Sequence, residues 1–370
     1  MIRNHKNFLA TLVFPESITS AELKEKYQTI KVKILIVPGH DDESKGGAQF
    51  QGTREADLNL RLASELFQLF NADSHFEVFL TRDETGYRPE FSSYFSRDYF
   101  NIISFRDRLR QAMEKFFQQG LVKKRTFVHH NAATEEDSLK LYGINKWANE
   151  NDVDLVIHIH FNDYPGRPLD RTGKYSGFSL YIPEGQLPNA RASQEIGRKV
   201  FNQLNKILSI SDFPKEDSGM VEDQKLIAIG ANASLNAAAL LVEYGYIYES
   251  PIRNAEMRKY LFPEIAYQTY AGVKKFFEPG YKINQYDSKI LPHNWSKDLS
   301  FRMMDEIEVA ALQMALIIEG VYNGPLTGNF LEFTREGVIK FQRKYGFSPI
   351  PNTGYVGSYT RKVLNRLYSN

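Results

Sequence analysis

Three patterns in this chain predict an α/β fold with an open sheet, followed by a smaller helical unit. Short apolar runs alternate with helical stretches between residues 33 and 278, the order expected of a sheet with crossover helices. Three of those runs end in a histidine or a glutamate: Ile36-Val37-Pro38-Gly39-His40, Ile157-His158-Ile159-His160 and Leu241-Val242-Glu243. After Glu278-Pro279-Gly280 the alternation stops, and beyond residue 300 apolar residues recur at helical spacing.

Taken in order, residues 1–30 read as an N-terminal extension. Arg3, Lys6 and the run Phe8 to Phe14 have the flavour of an export signal, but the run is short and a small-residue cleavage site is unconvincing. Ile34 to Val37 is a short apolar run cut off by Pro38-Gly39, as a buried parallel strand would be. Thr53 is the expected N-cap of the next helix, with Leu58, Leu62, Leu66 and Leu69 on one face. Phe76 to Leu80 is a second strand and runs into Thr81-Arg82-Asp83. Further strands are expected at Leu155 to His160, Phe178 to Ile182 and Ala239 to Glu243, with helices around 102–118, 190–207 and 254–277.

The stretch 84–150 is long for a connection between strands. Its aromatics Tyr87, Phe91, Tyr94, Phe95, Tyr99 and Phe100 are expected to cover a core, and a connection of this length with its own helices is often a lid or specificity element. Residues 279–299, with Pro292 and Trp295, read as a linker. In 300–370, Leu312, Ala315 and Leu316 share one helical face, and Val338, Phe341 and Tyr345 another. Asn323-Gly324-Pro325 and Pro351-Asn352-Thr353-Gly354 supply the turns.

Bulk composition narrows the function. The chain has 370 residues, 46 basic against 45 acidic side chains and no cysteine. Near-neutral charge points to neither a nucleic acid nor an anionic membrane as partner, and no apolar run is long enough for a stable membrane span. Without thiolates, any metal must be held by His, Asp or Glu.

In open α/β sheets functional residues gather at the carboxyl ends of strands, where His40, His160 and Glu243 fall. Glu55 opens a helix, where the positive dipole end favours an ionised carboxylate. Zinc held by His40, Glu55 and His160, with water completing the coordination, leaves Glu243 to accept the water proton and pass it to a departing amine. That chemistry suits amide hydrolysis. A carboxylate ending the apolar run Ala237 to Val242 is costly without a partner, which favours a role for Glu243. His158 shares a face with His160; it is expected in a packing or second-shell role because His160 lies nearer the strand end. His129-His130 read as solvent-exposed, and His5, His75 and His293 have no recognisable partners.

With these residues in hand, the region 31–278 resembles the zinc-dependent N-acetylmuramoyl-L-alanine amidases. The segments Ile36 to His40, Gly52-Thr53-Arg54-Glu55-Ala56-Asp57-Leu58-Asn59-Leu60, Phe79 to Asp83, Asp154 to Asn162 and Leu241 to Tyr246 occur in that family's order. The resemblance implies a twisted mixed sheet flanked by helices and cleavage of the amide joining N-acetylmuramic acid to L-alanine in peptidoglycan. Carried over by position, the zinc ligands are His40, Glu55 and His160 and the catalytic glutamate is Glu243; His158, Asn162 and Arg82 are second-shell or substrate candidates. Competing readings are a zinc peptidase of the stem peptide and an inactive wall-binding protein. Three departures stand out: Asp41-Asp42 where the family has Gly-Gly, adding negative charge beside the metal; His158 in place of a small polar residue; and the long 84–150 insertion. In some relatives an extra helix plugs the site until an activator protein removes it, and the insertion is where such a plug is expected.

Residues 300–370 resemble the small three-helix peptidoglycan-binding domain. Glu308-Val309-Ala310-Ala311-Leu312-Gln313, Asn323 to Gly328 and Thr334 to Gln342 carry the likeness, and Thr353-Gly354 repeats the Thr-Gly turn. A wall anchor beside a wall hydrolase raises effective substrate concentration. Together the resemblances place the chain in the cell envelope, periplasmic or extracellular and wall-associated.

Overall fold

The computed structural model describes residues 16–41, 47–125, 128, 133–283, 287–346 and 353–369. The signal-like run Phe8 to Phe14, Asp42, His5, His129-His130 and Pro351-Asn352 lie outside the described residues.

A six-stranded mixed sheet carries the first unit. Its strands are β1 (Val32–Pro38), β4 (Phe76–Leu80), β7 (Leu155–Asn162), β8 (Ser179–Pro183), β9 (Met220–Asp223) and β10 (Ala238–Tyr246), in the order β4-β1-β7-β10-β8-β9. All neighbours run parallel except β10 and β8. The expected strands are therefore present, and the mixed sheet gains β9. That edge strand, Met-Val-Glu-Asp, is too short and acidic to stand out from a loop in sequence. The two-residue strands β2 (Gln49–Phe50) and β3 (Thr53–Arg54) form a hairpin, as do β5 (Arg82–Asp83) and β6 (Gly86–Tyr87).

Alternation along the strands divides the core in two. Ile34, Ile36, Ile157, Ile159, Leu240 and Val242 face one side. There α2 (Glu55–Asn71), α6 (Ala190–Leu204) and α8 (Ala255–Phe277), which follows the short α7 (Ser250–Arg253), cover them with Leu62, Leu66, Ile196, Val200 and Ile265. Leu35, Val37, Val156, Ala239 and Leu241 face the other side, under the insertion. The insertion folds as α3 (Pro89–Arg97), α4 (Tyr99–Gln118) and α5 (Glu135–Glu150), and buries Phe91, Tyr94, Ile102, Tyr142 and Trp147 against that face. Part of the expected aromatic cover stays outside, with Tyr99 and Phe100 exposed.

One local expectation changes. Thr53 does not cap α2: it lies in β3, and the N-cap is Arg54, whose side chain makes no capping hydrogen bond. Glu55 instead opens the helix from a hairpin, its amide donating to the Ala48 carbonyl at 2.8 Å. At the N-terminus, α1 (Ser20–Thr29) begins with a Thr19–Glu22 capping box and buries Leu23 and Tyr27 in the main core.

Residues 279–299 contribute Ile290, Leu291, Trp295 and Leu299 to the buried core, and Glu264 of α8 accepts from the Lys289 amide at 2.6 Å. The C-terminal unit is three helices, α9 (Ile307–Ile318), α10 (Glu332–Lys344) and α11 (Ser358–Tyr368). A repeated device shapes it. Gln313 accepts from the Thr327 and Gly328 amides, and Gln342 accepts from the Gly354 amide. Gly328 and Gly354 have φ of +71° and +73°, a conformation that favours glycine. The unit docks on the first one through Arg253–Asp305 (3.1 Å) and the Leu326 amide on the Ile207 carbonyl (2.8 Å). Among the described residues no helix is long and apolar enough to cross a membrane.

Candidate metal centre

The ends of β1, β7 and β10 meet at the carboxyl edge of the sheet, beside the start of α2. Pro38 pairs with Ile159 and the Gly39 amide donates to the Ile159 carbonyl at 2.9 Å. His40, the next residue, thus arrives beside His160. His160 and Glu243 are direct cross-strand partners, so both side chains rise from the same face of the sheet. Glu55 enters from the helix.

His40 Nε2 lies 3.3 Å from Glu55 Oε2, and His160 Nδ1 lies 3.0 Å from Glu55 Oε1. One ligand atom from each of the three residues falls within 4.8 Å of the others. Tetrahedral zinc with arms of about 2.0–2.2 Å sets its donors about 3.3–3.6 Å apart; the N, N, O donor set suits that ion, and the two histidine–carboxylate distances lie near that spacing. Three protein donors leave a coordination position open, as catalytic zinc sites do. The ring of His160 occupies the space where a Gly39 side chain would be: a Cβ there would come within 2.1 Å of it.

Glu55 is heavily tied. Its Oε2 accepts from the Ala48 amide at 2.7 Å; its Oε1 accepts from the Phe161 amide and from Asn59, both at 3.2 Å. Burial would raise its pKa, but the His40 and His160 imidazoles outweigh burial and hold the carboxyl well below the usual range. Burial lowers His40, yet the Glu55 carboxylate dominates and the net shift is upward; in His160 burial prevails and the shift is downward.

Glu243 differs. It is half-buried and its Oε2 has no hydrogen-bond partner among the described residues. Burial, then the Glu55 and Glu216 carboxylates, push its pKa well above the ordinary value. The candidate metal trio and a carboxyl with a raised pKa therefore stand on neighbouring strands.

The other sequence candidates have distinct places. His158 lies one row below His160, fully buried, with its pKa pushed down to about 3 by burial and by the neighbouring His160; it is a neutral core residue. Arg82 is buried and donates to the Gly39 carbonyl at 3.0 Å and the Ala56 carbonyl at 2.8 Å, tying β1 to α2 behind the trio. Asn162 donates to Glu216 at 3.2 Å.

Sequence reasoning missed Glu216. It is buried and also accepts from Tyr181 at 2.5 Å and Ser211 at 2.6 Å, which sets a second carboxylate near Glu243. In the polar run Lys215-Glu216-Asp217 nothing distinguishes it. Asp41 also corrects an expectation. It does not add an uncompensated charge, because Lys140 of α5 pairs with it at 2.9 Å. The His40 and His160 side chains remain 29% and 17% exposed, so among the described residues no insertion helix seals them off.

Comparison with known proteins then gives two family matches. Residues 34–275 match N-acetylmuramoyl-L-alanine amidase, and residues 306–365 match a peptidoglycan binding domain. Among solved structures the chain is similar to the N-acetylmuramoyl-L-alanine amidase from Clostridium difficile 630, at 17% identity and a TM-score of 0.43, over 68% of this chain and 99% of that one. It is also similar to AmiC2 of Nostoc punctiforme (15%, 0.40, 67% and 97%) and to the CwlD amidase from Clostridioides difficile, solved in complex with the GerS lipoprotein (17%, 0.41, 67% and 100%). No curated protein matches the chain.

Proposed function

Because the chain belongs to the N-acetylmuramoyl-L-alanine amidase family, we propose that His40, Glu55 and His160 hold one zinc ion while Glu243 moves the proton that amide hydrolysis requires. The bond is the one joining N-acetylmuramic acid to the L-alanine of the peptidoglycan stem peptide. The observation that carries this reading is the pairing of a histidine–glutamate–histidine trio at coordination spacing with a raised carboxyl one strand away.

Zinc, when bound, supplies Lewis acidity: it acidifies water and polarises the carbonyl under attack. The residues of the chain do the rest. Glu55, held ionised by its donors, contributes negative charge to the trio; His40 and His160 contribute neutral nitrogens. Glu243, whose Oε2 has no hydrogen-bond partner among the described residues, takes the proton of the attacking water and returns it to the departing L-alanine nitrogen. Arg82 and Asn59, both on the Gly39 carbonyl, hold the backbone that aims His40.

We take 31–278 as the catalytic unit and 300–370 as the wall-binding unit, with 279–299 between them. Residues 300–370 would keep the enzyme on its polymer, in the wall-associated space outside the cytoplasm where that polymer lies. Mass spectrometry of digested wall tests the reaction. Zinc-dependent release of intact stem peptides with a free L-alanine amine is expected; shortened stems left on the glycan would mark a peptidase instead, and binding without cleavage an inactive protein.

A further inference from the structure

His40 has a φ of +56°, the left-handed region that strains a non-glycine residue and persists only where the surroundings fix it. On its N-terminal side the fixing groups are plain: the Gly39 amide is bound by Ile159 and its carbonyl by Asn59 and Arg82. On its C-terminal side the next residue is Asp41, which is 8% exposed. Among the described residues, the Lys140 ammonium at 2.9 Å and the Tyr87 hydroxyl hold its carboxylate. Lys140 also lies 5.6 Å from the centre of the Tyr87 ring. Both partners belong to the insertion, Lys140 on α5 and Tyr87 on β6.

Resting on the zinc reading, we propose that Lys140 and Tyr87 are positioning residues for the metal ligand His40, acting through Asp41. The insertion is then a buttress of the metal centre, not a separable cover. The physical reason is the pairing of a charged side chain immediately after a strained ligand. A buried ion pair broken at one partner leaves a charge the site cannot keep. Asp41 would move toward solvent and carry the adjoining His40 backbone with it. Glu136, which also pairs with Lys140 at 3.1 Å, is on the same helix and cannot replace Asp41 at this junction.

The test is zinc affinity of the full-length protein, measured by competition with a chromophoric chelator, beside the melting temperature of the metal-free form. Lys140→Met should weaken zinc binding about 10- to 100-fold, the usual effect of removing a residue that orients a ligand. Tyr87→Phe, which keeps the ring and deletes only the hydroxyl, should weaken it less and serves if Lys140→Met does not fold. In an Asp41→Asn background Lys140→Met should add little, because both act through the same contact. Wild-type affinity in Lys140→Met, or in Tyr87→Phe where only that variant folds, would overturn the proposal. So would losses that simply add in the double variant, or a lowered metal-free melting temperature with zinc affinity unchanged. Failure of the wild-type protein to bind zinc would instead sink the reading on which this inference rests.

Discussion

Glu55 and Glu243, neighbours at the carboxyl edge of the sheet, show how surroundings give two carboxylates different chemistry. Around Glu55 are two backbone or side-chain amides on Oε1, a backbone amide on Oε2 and two imidazoles. Around Glu243 are protein, the Glu55 carboxylate and the Glu216 carboxylate. The first setting stabilises a negative charge and the second opposes it. Paired acids whose environments drive their pKa values apart are how a site assigns one to hold charge and the other to carry a proton.

The sharpest way to break this contrast is at the charge-holding carboxylate. Glu55→Ala should reduce zinc content, measured by elemental analysis, from about one ion per chain to none, and hydrolysis should vanish with it. Glu243→Gln should spare zinc content and wall binding while lowering the hydrolysis rate about 10²- to 10⁴-fold, the range for a lost general acid–base group. If Glu243→Gln instead released the metal, the division of labour would be wrong.

A smaller effect is expected at Gly39. An alanine there meets the His160 ring at 2.1 Å, so Gly39→Ala should turn that ring and weaken zinc binding about 10- to 100-fold, read by the same chelator competition. The smallest effect is on the stability of the metal-free protein. The raised pKa of Glu243 means its contribution is present below its unfolded value, about 4.3, and is lost as pH rises through the folded value. Glu243→Gln should therefore melt above wild type at pH 8, with the gap closing toward pH 4. Glu55, held low, has the opposite sign: its contribution is present above the unfolded value and lost as pH falls through the folded one.

Much of the arrangement was legible before any coordinates. Apolar runs broken by Pro38-Gly39 or ended by His160 and Glu243 marked the strands, because a buried parallel strand leaves no alternation to hide a polar terminus. The trio was legible for the same reason: each proposed ligand stands where a strand or helix begins or ends. What stayed hidden depended on distant partners. Glu216 becomes meaningful only beside Tyr181, Ser211 and Asn162. Asp41 looked like surplus charge until Lys140, 99 positions later, lay against it. Thr53 had the right chemistry for a cap, but the Gln49–Arg54 hairpin claimed its backbone first.

Crystals of the zinc-loaded protein, with diffraction recorded on either side of the zinc absorption edge, test the central claim most directly. The account predicts one anomalous peak bonded to a nitrogen of His40, a nitrogen of His160 and an oxygen of Glu55, with Glu243 outside the coordination shell and facing the open position. A peak bonded through Glu243 or Glu216, or a zinc ion away from the trio, would contradict it.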